Sequence, residues 1–199
     1  MNPPITDWTH LPPNTNPLSL WECLHDAIIQ TLHSDRVSCA LTLELDVFYI
    51  REHHGLPDGL RFILRFDGVS SVRANVFAVW PGELSLPPGA SPEERNRAIG
   101  EVQAKSREQS VSWSALETAL EAEGVTFDIY AAELAEGENS VALRLQGYLD
   151  SEDYDELFIR AGSLSLSTSD GKGLTLQEFR QMGELYWDAF EQRQPGFRS

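Results

Sequence analysis

Apolar and polar residues alternate from Arg36 to Tyr49. Val37, Cys39, Leu41, Leu43, Leu45, Val47 and Tyr49 stand against Arg36, Ser38, Ala40, Thr42, Glu44 and Asp46. A period of two marks a β-strand with one buried face, because successive side chains point to opposite sides of a sheet. The preceding apolar run, which includes His25 and Asp26 at its start and His33 near its end, leads into Ser34 and Asp35, residues that favour turns. The two runs predict a hairpin turning there. Beyond the loop around His53, His54 and Gly59, Leu60, Phe62, Leu64 and Phe66 face one way and Arg61 and Arg65 the other. A turn at Asp67 and Gly68 leads to Val72, Ala74, Val76, Ala78 and Trp80, which oppose Ser71, Arg73 and Asn75. Pro81, Pro87 and Pro88 cannot donate to a ladder and end a meander of four antiparallel strands.

The period then changes. Ser91 and Glu94 have the spacing of a capping box, with Pro92 at the first helical position, and predict a helix reaching Gln109 whose apolar stripe is only Ala98, Ile99 and Val102. Trp113, Leu116 and Leu120 predict a second helix that stops at Gly124. Strand spacing resumes with Val125, Phe127, Ile129 and Ala131 on one face, then with Val141, Leu143, Leu145 and Leu149. In the last strand the apolar positions are Leu157, Ile159 and Ala161, then Leu164 and Leu166, so the phase slips at Gly162 and a bulge is expected there. Thr175 and Glu178 form a second capping box before Leu176, Phe179, Met182, Tyr186 and Phe190, an apolar helical stripe suited to closing the core. The predicted fold is α+β: a mostly antiparallel, twisted sheet of about seven strands with two or three helices, the C-terminal one packed on the apolar face. Residues 1–17, rich in Pro and Asn and without period, read as an extended N-terminal arm, and 18–199 as a single domain.

The chain has 199 residues, 41% of them apolar, enough for a sizeable core without staples. It holds no apolar run near the ~20 residues needed to span a bilayer, and its opening lacks the basic and apolar regions of a signal peptide. A cytoplasmic protein without a membrane role is expected. Cys23 and Cys39 lack CxxC spacing and suit a reducing compartment, a disulfide between them being the lesser alternative. The formal charge of −16 argues against nucleic acid, which needs clustered Lys and Arg. The charge is also uneven: residues 1–116 carry −5, 117–156 carry −11 and 157–199 carry 0. The middle stretch holds twelve acids and a single base.

On a strand, His25 and Asp26 would point to opposite faces and could not form a catalytic pair. His25 and His33, eight strand residues apart, would be roughly 26 Å from each other, too far for one metal ion. Glu44 and Asp46 resemble an acid/base pair, but Arg61, Arg65 and Arg73 are expected on the same sheet face, which favours a salt-bridged surface. Those arginines could alternatively build an anion-binding groove for a small ligand. The run Asp170–Phe179 is similar to the end of an EF-hand loop, yet Lys172 stands where the turn glycine belongs and a strand precedes it, so it reads as a strand-turn-helix junction. The sequence has no GxSxG, P-loop or GxGxxG. Trp21, Trp80, Trp113 and Trp187 fall on apolar faces and read as core. No catalytic residue, metal or cofactor is expected.

Trp21, then Leu24-His25-Asp26-Ala27, then a strand, a turn and the run from Arg36, resemble the opening of several small bacterial families of unknown function, some assigned as immunity proteins of toxin systems. The resemblance covers about the first 80 residues. It implies an α+β protein that acts by binding, without a cofactor. A basic protein is the expected partner. The acids expected to meet it are Glu117, Glu121 and Glu123 at a helix end and Asp150, Glu152, Asp153, Asp155 and Glu156 in a loop. A structural homodimer with an incidentally acidic surface is the alternative.

The alternation makes a direct prediction. Leu43→Asp, a charge in the core, is expected to abolish cooperative folding, and Thr42→Asp to change stability by less than ~1 kcal/mol, both read from urea unfolding.

Overall fold

Local spacing accounts for most of the elements in the computed structural model, which describes residues 18–76, 89–103, 107–109, 118, 126–137, 140–149 and 153–194. In chain order they are β1 Leu18–Ser19, α1 Trp21–Leu24, β2 Ile28–Asp35, β3 Ala40–Asp46, α2 Phe48–His53, β4 Phe62–Asp67, β5 Ser71–Val76 and α3 Pro92–Gln103. There follow β6 Arg107–Gln109, β7 Phe127–Gly137, β8 Ser140–Leu149, β9 Asp153–Ala161, β10 Ser163–Thr168, β11 Gly173–Leu174 and α4 Leu176–Arg193. The fold is α+β and every strand pair among the described residues is antiparallel, with eleven strands and four helices rather than about seven and two or three.

The strands form one sheet in the order β11-β10-β4-β3-β2-β7-β8-β9-β5-β6, with β1 added to β7. The predicted turn at Asp67 and Gly68 is not a hairpin. Gly68, at φ 65°, bends one long run so that β4 pairs with β3 and β10, while β5 pairs with β9 and β6. The expected irregularity at Gly162 is the matching bend between β9 and β10. The two bends meet: the Gly162 N–H donates to the Asp67 carbonyl at 2.9 Å, and the Ser70 N–H to the Arg160 carbonyl at 2.8 Å. Because β4 runs into β5 and β9 into β10, the sheet order closes on itself and the wall curls around its own apolar face. Leu43, Phe62, Leu64, Leu134, Leu143, Leu145, Leu157 and Ile159 share the enclosed core. Thr42, opposite Arg65, is only half-buried. The side chains of Val76 and Leu149, both expected in the core, lie outside the described residues.

Four expectations are corrected. The β2–β3 turn is Arg36–Cys39, not Ser34 and Asp35, because the Asp35 carboxylate accepts the Val37 N–H at 2.9 Å and the Ser38 hydroxyl at 2.6 Å. Val37 is consequently 97% exposed. Alternation ends at Asp46, whose carboxylate pairs with Arg51, and Tyr49 and Ile50 are buried from α2 instead. The helix after Ser91 keeps its capping box but stops at Gln103, and Arg107–Gln109 is a strand on β5. In β7 a register shift at Tyr130 moves the inward face from Phe127 and Ile129 to Ala132 and Leu134, so Ala131 is not inward. The helix expected around Trp113 and the arm of residues 1–17 lie outside the described residues, as does Trp80.

The C-terminal helix follows its stripe. Thr175 and Glu178 form the capping box; Phe179 sits 4.9 Å from Phe62, ring to ring; and Trp187 is buried. Gly183 lets α4 lie directly on α1, since a Cβ there would overlap the Glu22 carbonyl. Gly183→Ala is expected to cost roughly 1–3 kcal/mol. Gly173→Ala, where a Cβ meets nothing within 4 Å, should stay within about 0.5 kcal/mol of the unaltered chain in the same thermal unfolding measurement.

Candidate functional site

His25 and Asp26 are not on a strand. They form the turn after α1, and Asp26 adopts φ 63° as its N–H donates to the Ile129 carbonyl at 2.8 Å. The expectation that their side chains diverge is therefore overturned: His25 Nε2 lies 3.6 Å from Asp26 Oδ1. His25 Nδ1 is 2.7 Å from the Tyr130 carbonyl, which can only accept, so Nδ1 donates to it. The ring is sandwiched rather than open: it stacks 4.8 Å from Trp21 and meets Tyr130 edge-on at 5.6 Å. This geometry anchors α1 to the β7 bulge.

Trp187 continues the aromatic layer. Its Nε1–H donates to the Glu22 carbonyl at 2.9 Å, and its ring lies 4.6 Å from Trp21 and 5.7 Å from Tyr49. Tyr49 is 3% exposed, its hydroxyl has no partner among the described residues, and burial raises its phenol far above the usual range. Burial likewise raises the Cys23 thiol; Cys23 and Cys39 are both free.

Where α2 meets the end of α4, the layer opens into a groove of about 400 Å³ lined by Phe48, Tyr49, Glu52, His53, Tyr186, Phe190, Arg193 and Gln194. His53 and His54 are thus at a helix end rather than in a loop. His54 Nε2 is 3.0 Å from the Met182 carbonyl, while His53 faces the groove and is held below its usual pKa by desolvation, then by His54 and Arg193. Tyr186 is raised by desolvation and feels Arg193 and Glu52 in opposite senses. Sequence reading missed this groove, because it assigned Tyr49 to a strand and the histidines to a loop. The stripe Tyr186 and Phe190 was the available signal.

Two of the arginines expected on one sheet face are in ion pairs, as on a salt-bridged surface. Arg61 lies 3.5 Å from Asp46 and Arg65 2.9 Å from Asp67, while Arg73 is on β5 beyond the Gly68 bend. Among the acids, Glu117, Glu121, Glu123, Asp150 and Glu152 lie outside the described residues. Asp153, Asp155 and Glu156 are on β9, not in a loop. Glu156 is 5% exposed and pairs with Arg144, which also reaches Glu133 at 3.2 Å; Gln146 donates to the same Glu156 oxygen. Glu156 is therefore a structural acid. Among the described residues there is no group of three or more His, Cys, Asp or Glu placed to hold a metal ion, and no helix is long and apolar enough to cross a membrane.

No protein-family model, no curated protein and no solved structure matches the chain.

Removing Arg144 takes away the cation that pairs with the buried Glu156 carboxylate. Arg144→Leu is expected to cost about 3 kcal/mol, and adding Glu156→Leu to recover most of it, as read by urea unfolding of the single and double variants.

Proposed function

We propose that the protein acts by binding, as an immunity-type module whose acidic stretch 117–156 meets a basic partner. The observation that carries this reading is the fate of the stretch's single base. Arg144 is clasped between Glu133 and Glu156, so the other ten acids of the stretch have no base of their own to neutralise them. Of these, Asp128 and Glu136 are exposed on β7. A concentrated negative field speeds encounter with a cationic protein, and salt screens it over roughly 8–10 Å near physiological ionic strength. The resemblance of the first 80 residues to small bacterial families, some assigned as immunity proteins, implies action by binding; the acidic stretch lies outside that resemblance.

Full-length protein immobilised as bait is expected to retain a basic protein from cells of its source at low salt and to release it at about 0.5 M, where the screening length is only ~4 Å. Changing Asp150, Glu152, Asp153 and Asp155 together to Asn or Gln should abolish retention. Glu156 is left intact because its loss would disturb the sheet. A partner that survives both high salt and the fourfold substitution would overturn the electrostatic account.

A further inference from the structure

The groove between α2 and α4 combines three features that together define a ligand. Its walls are aromatic: Tyr49 and Tyr186 lie 4.8 Å apart, Phe48 stands edge-on to Tyr49 at 5.6 Å, and Phe190 is 6.1 Å from Tyr186. Its size, about 400 Å³, is at the lower end of small-molecule sites. Its rim carries two opposite charges, Glu52 and Arg193, and neither has an oppositely charged side chain within 4 Å among the described residues.

We propose that this groove binds a free aromatic α-amino acid, with its ring among Phe48, Tyr49, Tyr186 and Phe190, its ammonium towards Glu52 and its carboxylate towards Arg193. Glu52, in the last turn of α2, supplies a carboxylate for the ammonium, and the rings add a cation–π contribution. Arg193 is steadied by the bond from its Nε to the Ala189 carbonyl at 3.2 Å, which leaves the terminal nitrogens of the guanidinium for a carboxylate. A zwitterion also suits a chain of charge −16: a simple aromatic acid would be repelled by the net field, while a neutral dipolar ligand is not. The proposal is independent of the acidic stretch, so either can fail alone.

The test is calorimetric titration of the full chain with L-phenylalanine and L-tryptophan, beside 2-phenylethylamine, which lacks the carboxylate, and 3-phenylpropanoate, which lacks the ammonium. At least one amino acid is expected to bind about tenfold or more tighter than both analogues, ~1.4 kcal/mol for each missing charge. Arg193→Gln should erase the advantage over the amine, and Glu52→Gln the advantage over the acid. Both positions are exposed, so unchanged thermal unfolding of the variants would show that the effect is local. No binding of either amino acid up to its solubility, equal binding of one analogue, or amino-acid binding indifferent to both substitutions would each overturn the assignment.

Discussion

The meeting of two bent strand runs at Gly68 and Gly162 is the constraint on which the rest of the structure depends. A sheet of this length has one apolar face too wide for the C-terminal helix alone to cover. Bending both runs at one corner, with the Gly162 N–H shared between the Asp67 and Gly68 carbonyls, lets the sheet cover itself. The φ of 65° at Gly68 is readily adopted by glycine and by few other residues. The same corner decides the strand order: it separates β4 from β5 and brings β10 beside β4 and β9 beside β5.

Closing the wall this way leaves its mouth to be sealed by helices, which is where the aromatic residues collect. Gly183 brings α4 against the backbone of α1, Trp187 ties to the Glu22 carbonyl, and Tyr49 and Phe179 fill the space beneath. Towards the end of α4, against α2, the rings of Tyr186, Phe190 and Phe48 line a groove instead of a core.

Charge is handled in two ways. Many of the described basic residues are matched by acids: Arg144 with Glu133 and Glu156, Arg65 with Asp67, and Arg51 and Arg61 with Asp46. These pairs neutralise the basic residues locally and leave the protein's excess of acid unbalanced. Of the arginines weighed as an anion-binding face, Arg61 and Arg65 are matched by acids, and the Gly68 bend places Arg73 on β5.

The α+β class, the inward faces of β3, β4 and β8, the capped starts of α3 and α4 and the stripe of α4 were all legible in the sequence, since each rests on contacts within a few residues or on a strict period. Gly162 was legible too, as a slip of phase. Its meaning was not: only its pairing with Asp67 and Gly68 turns a bulge into a corner. Local chemistry overrode the period at Asp35, where a carboxylate captured the turn, and at Asp46, where a pair with Arg51 accompanies the change from strand to helix. The groove was invisible for a related reason. Its residues come from two helices more than a hundred positions apart, and the α2 half was hidden in an alternation that looked like strand. Sequence determined which faces are apolar; tertiary structure decided which of them meet, because strand pairing across the closed wall depends on geometry that no short window of residues contains.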